Sequence, residues 1–313
     1  MIPAFVPWVL LAIVTLIAAL ALFSYIIARR IERDVPADGA FLTIDGTRLH
    51  YSDHGQGPAI VMIHGLGGQM RNFSYALTDR LAADHRIILV DRPGSGYSAA
   101  ASSAAIPAQA KLVAGLIDAL GLDRPLVVGH SLGGAIALAL ALDHPDKVSG
   151  LALISPLTQP QDSVPPAFRA IAIGSPLVRS ALAWTLATPL GMLSGSRGAD
   201  AVFAPEPAPA DFRTKGGGAL VLRARAFHAA STDLAATRTD MPLLSARYAG
   251  LSVPVAILYG SEDAILDPDI HGAKIAAAVP AVELTLIPGG HMIPVTAPEQ
   301  VAAWIRGRVG AAG

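Results

Sequence analysis

One nine-residue stretch has the residue types and spacing of a nucleophile. In Val127-Val128-Gly129-His130-Ser131-Leu132-Gly133-Gly134-Ala135 an apolar run enters Gly-x-Ser-x-Gly and leaves into an Ala-rich segment. A serine on a sharp strand-to-helix turn needs glycines two residues to either side, because side chains there would collide as the backbone reverses. Such a turn exposes Oγ at the end of a sheet and puts a helix N-terminus beneath it, where the positive dipole favours an oxyanion. Serine is a weak nucleophile, so it needs a base, and the base needs an orienting acid. Among nine histidines, His291 follows the strand-like run Val282 to Ile287 and the turn Pro288-Gly289-Gly290, on a loop beyond a strand end. His130 is excluded as the base, because beside Ser131 on a tight turn its ring is directed away. His50, His54, His85, His144, His228 and His271 are expected at the surface or in an insert. For the acid, Asp263 follows the strand-like Val255 to Tyr259, with Glu262 and Asp267 as competitors. The order Ser131, Asp263, His291 is one of those in which acyl-transfer triads occur.

The elements that would position these residues follow from hydropathy patterning. Phe41 to Ile44 and Arg48 to Tyr51 bracket Asp45-Gly46, a hairpin signal. Short apolar runs then alternate with helical stretches: Ala59 to Ile63, Arg86 to Val90, Leu126 to Val128, Val148 to Ile154, Val255 to Tyr259 and Val282 to Ile287. Runs apolar on both sides suit a parallel sheet covered on both faces. Helices are expected over Tyr75 to Ala83, Ala108 to Leu120 and Gly133 to Leu142. The alternation stops between Pro156 and Leu251, a Pro-, Ala- and Gly-rich stretch that reads as helices over about Pro166 to Leu193 and Ala219 to Thr232. The expected fold class is α/β, one doubly wound and mostly parallel sheet with an inserted helical cap.

These motifs resemble the α/β-hydrolase superfamily over roughly Phe41 to Arg308. The marks are Ile63-His64-Gly65-Leu66-Gly67-Gly68, Asp91-Arg92-Pro93-Gly94-Ser95-Gly96-Tyr97-Ser98, the Ser131 turn, Gly260 to Asp263 and Gly290-His291. The resemblance implies an oxyanion hole made by the backbone N–H groups of Leu66 and Leu132, and a structural rather than catalytic Asp91. One departure concerns the acid loop: relatives commonly place a proline four residues after the acid, and here Pro268 comes five after Asp263.

The N-terminus has a separate character. No charged residue occurs from Met1 to Ala28, and Phe5 to Ile27 is long enough as a helix to cross the hydrocarbon layer of roughly 30 Å. Trp8 and Tyr25 fall near its ends, where amphipathic rings settle at headgroups. A single-pass membrane anchor is expected, with a cleaved signal peptide as the main rival. Arg29, Arg30 and Arg33 would direct the rest of the chain to the cytoplasmic side, though Glu32 and Asp34 dilute that signal and the face stays open. The expected division is anchor 1–34, core 35–155, cap 156–251 and core 252–313, with Val35 to Gly39 as a short linker.

Composition narrows the partners. With 23 Lys plus Arg against 24 Asp plus Glu, no strong field selects a nucleic acid. The absence of cysteine excludes disulfides, thiolate metal sites and a Cys nucleophile. No metal and no cofactor is expected. The serine disfavours carbon-attacking aspartate chemistry and favours acyl transfer on hydrophobic esters, since the cap contributes Phe168, Ile171, Leu177, Trp184, Met192 and Phe227, and a membrane anchor beside such a site hints at lipid-like ones. The same residues could instead serve carbon-carbon bond hydrolysis, thioester hydrolysis or perhydrolysis. A membrane-tethered binding protein without turnover is the remaining alternative.

Overall fold

The computed structural model describes residues 3–309; the outermost residues of the first and last expected segments, 1–2 and 310–313, lie outside it. Eight strands, β1 (Ala40–Ile44), β2 (Thr47–His54), β3 (Ala59–Ile63), β4 (Arg86–Val90), β5 (Leu126–His130), β6 (Gly150–Ile154), β7 (Val255–Gly260) and β8 (Val282–Ile287), form one sheet. Their order is β1-β2-β4-β3-β5-β6-β7-β8. The β1–β2 and β2–β4 pairings are antiparallel, and every other pairing is parallel. Asp45 and Gly46, with φ of 47° and 76°, supply the left-handed pair that a tight hairpin between β1 and β2 demands.

The inner strands are almost wholly apolar along their length, with Arg86 and His130 only at strand ends, because both faces are covered. Val61, Ile63, Val127, Leu151 and Ile257 belong to one buried cluster, and Ile60, Met62, Val128, Ala152 and Leu258 to the cluster on the opposite face. The helix Leu132–Asp143 is buried from Leu132 to Ala141, and its glycines and alanines let it lie close to the sheet and to the helix Ile106–Ala119. The edge strand β8 is only partly covered, and Leu286 stays half exposed.

The register places the site. Ile63 pairs with Gly129, His130 with Ile154, and Gly260 with Ile287. Strands β3, β5, β7 and β8 therefore end along one rim of the sheet, and the segments after them carry Leu66, Ser131, Asp263 and His291. Ligands of open α/β sheets bind beyond such carboxyl ends.

Between β6 and β7 all the regular structure is helical among the described residues. The helical stretch expected over about Pro166 to Leu193 is made of a 3-10 turn at Pro166–Ile171 and helices at Pro176–Trp184 and Ala187–Leu193. Pro176 has no amide hydrogen to continue a helix and starts one instead, with Ser175 Oγ accepting from Val178 N at 3.4 Å. Conversely, the helix expected to stop at Thr232 runs over Ala224–Ser245, carried on by Met241 and Leu244, which are buried in the core. The helix expected over Tyr75 to Ala83 is two single turns, Arg71–Ser74 and Thr78–Leu81.

The first helix runs Val6–Asp34. It is exposed on all sides from Pro7 to Ala19, and then a stripe at Leu20, Ser24, Ile27, Ile31 and Val35 turns towards the body. Ile31 and Val35 pack with Ala219 and Leu220 of the insert. Glu32 pairs at 3.1 Å with Arg223, whose side chain is buried and lies over the Tyr97 ring. The expected linker at Val35 to Gly39 is fastened rather than loose. Val35 is fully buried and its carbonyl accepts from Tyr97 Oη, while Arg71 bonds the Pro36 carbonyl and pairs with Asp38 at 2.9 Å.

Candidate active site

Ser131 joins β5 to the helix Leu132–Asp143 with φ 55° and ψ −120°. A non-glycine residue in that region costs about 1–3 kcal/mol and persists only where its surroundings fix it. Here Ser131 N donates to Ile154 O at 3.1 Å, and its carbonyl accepts from Gly134 N at 2.9 Å and Leu157 N at 3.0 Å. The spacing of the glycines has a direct cause. A Cβ on Gly133 would lie 2.0 Å from the Ile63 carbonyl oxygen, so the helix start can approach the end of β3 only without one. At Gly65 a Cβ would lie 2.8 Å from Ser131 Cβ, which shows how closely the His64–Gly65 segment abuts the serine.

Next to it come the two N–H groups expected to form an oxyanion hole. Leu132 is the first residue of its helix, and among the described residues neither its N–H nor that of Leu66 donates within the protein. The loop carrying Leu66 is held by His64, whose Nδ1 donates to Gly65 O at 2.9 Å and whose Nε2 accepts from Arg92 N at 3.0 Å. Burial, helped by the Arg92 charge, lowers the His64 pKa to about 3 and keeps the ring neutral.

His291 Nδ1 bonds Asp263 Oδ2 at 2.7 Å, with both side chains buried. The other carboxylate oxygen, Oδ1, accepts from Ile265 N at 2.9 Å and Leu266 N at 3.0 Å. Burial alone would raise the Asp263 pKa, but the His291 attraction and hydrogen bond and the two amides outweigh it and hold it below the ordinary carboxylate range. A carboxylate at Nδ1 leaves Nε2 as the proton-accepting nitrogen. Of the competing acids, Glu262 and Asp267 are exposed, and Asp267 Oδ1 caps Asp269 N. His130 has a use other than catalysis: its Nε2 donates to the His291 carbonyl at 3.0 Å, and the two rings lie 4.8 Å apart. The residue beside the serine thus seats the loop that carries His291. Among the described residues no hydrogen bond joins Ser131 Oγ to His291 Nε2; contacts of this kind tighten in substrate complexes.

Several supporting residues escape a reading of the sequence. Arg92 is 1% exposed and donates to the His64 carbonyl at 3.0 Å, the Gly65 carbonyl at 2.9 Å, Gln109 Oε1 at 3.0 Å and Asp233 Oδ2 at 2.8 Å. One guanidinium therefore ties the insert to the Leu66 loop. The insert also reaches the His291 loop, where Glu206 Oε2 accepts from Gly290 N at 3.2 Å, and the Leu66 loop a second time, where Gln69 Nε2 donates to Gly216 O at 2.7 Å. In the sequence Arg92 stands in the Asp91 to Ser98 motif, while Asp233 is one of two aspartates, with Asp240, in the helix Ala224–Ser245, and nothing local pairs the two residues. Asp91 is fully enclosed: it meets His50 Nδ1 at 2.7 Å and accepts from Met70 N and Tyr97 N at 2.8 Å. Contrary to expectation, His50, His85 and His271 are buried. Of the apolar residues expected to shape a pocket, Leu177, Trp184 and Met192 face outward.

Comparison with known proteins fits this geometry. A family model described as alpha/beta hydrolase fold matches residues 58–197. The chain is 31% identical over 268 residues to a protein of Variovorax paradoxus assigned, provisionally, as the carbamate hydrolase RutD, covering 79% of this chain and 91% of that one. It is 39% identical over 114 residues to the 2-hydroxy-6-oxo-6-phenylhexa-2,4-dienoate hydrolase of Burkholderia cepacia, covering 35% and 40%. Against the dihydrolipoyllysine-residue acetyltransferase component of the acetoin cleaving system of Cupriavidus necator it is 39% identical over 128 residues, 40% of this chain and 34% of that one. Among solved structures, an α/β-hydrolase fold protein of Burkholderia ambifaria superposes with a TM-score of 0.73 at 24% identity, over 86% of this chain and 97% of that one. A membrane phospholipase A superposes with a TM-score of 0.67 at 21% identity, over 97% and 96%. The chain belongs to the α/β-hydrolase family and is a hydrolase of that class.

Proposed function

We propose that this protein is a membrane-anchored serine hydrolase that cleaves carboxylic esters of hydrophobic substrates. The observation that carries the reading is the strained Ser131 beside two undonated N–H groups, on the same rim as the Asp263–His291 pair. In this mechanism Ser131 Oγ attacks the ester carbonyl as His291 Nε2 takes its proton. The N–H groups of Leu66 and Leu132 receive the oxyanion, and Asp263 holds the imidazole. His291 returns the proton to the departing alcohol, and a water activated by His291 then releases the acyl group. The segment 156–251 acts as the cap and 1–34 as the anchor.

The test is labelling by a fluorophosphonate together with hydrolysis of p-nitrophenyl esters of short and medium acyl chains. Wild type labels and turns over; Ser131→Ala does neither. Equal labelling of the variant would overturn the reading. A second reading keeps the three residues and changes the substrate, and its support is the 39% identity to a carbon-carbon bond hydrolase over the segment shared with it. A ring-fission dienone or a carbamate cleaved much faster than any ester decides for it. For the anchor, the mass of the membrane-extracted protein separates a retained helix from a cleaved signal.

A further inference from the structure

The insert carries an apolar surface that nothing covers among the described residues. From Pro176 to Ser196 the only charged residue is Arg179. Its side chain turns inward, bonding Ser231 Oγ at 3.0 Å, Thr232 Oγ1 at 3.2 Å and the Ile173 carbonyl at 2.7 Å. What the helices Pro176–Trp184 and Ala187–Leu193 present outside is Leu177 at 83% exposure, Leu193 at 79%, Leu190 at 57% and Trp184 at 54%. Large side chains gathered in this way mark an interaction site rather than ordinary water-facing surface.

The position of the patch identifies its partner. The same two helices touch the N-terminal helix, and Ser24 Oγ donates to the Thr185 carbonyl at 3.3 Å. The N-terminal helix is free on all sides only from Pro7 to Ala19, a rise of about 20 Å. The hydrocarbon layer is roughly 30 Å thick and takes about 20 residues. A span beginning near Phe5 therefore has to include Leu20 to Ser24, the stretch that already meets the insert. Thr185 then lies at the level of the headgroups, with Trp184 and Leu186 beside it. Tyr25, exposed on the helix, is at the same level, and aromatic side chains of this kind settle there.

We propose that the outer face of Pro176–Leu193 is a lipid-docking surface, dipping into the bilayer alongside the helix that crosses it. The proposal rests on the anchored reading above. Its occupant is the bilayer itself: the patch is uncharged, continuous with a membrane-spanning segment, and level with the end of that segment.

The chain has no cysteine, so a single introduced thiol can carry a spin label at a chosen site. Full-length Leu190→Cys, Leu10→Cys and Glu299→Cys, all exposed positions, are labelled and reconstituted in phosphatidylethanolamine–phosphatidylglycerol vesicles. Collisions with oxygen, which concentrates in lipid, are compared with collisions with a water-soluble nickel complex. The Leu190 label is expected to favour oxygen, as at Leu10, and Glu299 to favour nickel. A Leu190 label that reports water while Leu10 reports lipid overturns the docking surface and leaves the anchor standing. Water at both positions overturns the anchored reading and the docking with it.

Discussion

Ser131 shows how a single residue can be read in sequence and still hold something only coordinates reveal. The glycines around it were legible, because collisions on a tight turn dictate them at fixed spacing. The strain was not. At φ 55° and ψ −120° the serine occupies a region natural to glycine. Ser131→Gly is therefore expected to be inactive yet more stable than wild type, by about 1 kcal/mol once the roughly 0.5–1 kcal/mol entropy cost of glycine is set against about 1–3 kcal/mol of relieved strain. Chemical denaturation of the two proteins checks this, and a less stable glycine variant would mean the turn is not strained. The histidines were harder. His50 is buried by Asp91, 41 residues away, and His271 accepts at Nδ1 from the Thr158 and Gln159 amides, more than 110 residues away. Nothing local announces such partners.

Among elements, strands were more legible than the helices of the insert. A strand covered on both faces is a short, wholly apolar run, and β3 and β4 fall where their runs do. Insert helices are cut by Pro176 and extended by burial of Met241 and Leu244, which local periodicity does not weigh. The joint between insert and core was invisible for the same reason: Arg92 and Asp233 are 141 residues apart. Removing one partner strands a buried charge, at a cost of about 3–5 kcal/mol, whereas replacing both with apolar residues of similar volume is often neutral. Asp233→Leu is accordingly expected to lower the unfolding free energy by about that amount, and Arg92→Met with Asp233→Leu by clearly less. Urea unfolding of the single and double variants distinguishes this from simple additivity. The double variant also loses the donors to the His64 and Gly65 carbonyls, so its turnover should fall even where its stability recovers.

The whole molecule carries a pH signature. Burial is the leading cause that lowers the pKa of His64 and of His130 to about 3 and that of His271 to about 4, from 6.5. Below 6.5 the unfolded chain takes up protons that the folded chain refuses, so stability is complete above that value and falls as pH drops towards 4. Three such sites give a slope approaching about 4 kcal/mol per pH unit. Thermal unfolding should show the melting temperature dropping steeply between about pH 6 and 4.5. A flat profile there would mean that these rings are protonated in the folded state.

At this scale the fastened junction from Glu32 to Asp38 has a mechanical meaning. A loose tether absorbs a change in membrane thickness, but here Glu32, Val35, Pro36 and Asp38 are each held by Arg223, Tyr97 or Arg71. If the helix crosses a bilayer as proposed, it answers a thinner one by leaning, and the body must lean with it. The angle at which the catalytic rim meets the lipid surface would then follow bilayer thickness, so lipid composition could tune the enzyme without any molecule binding to it.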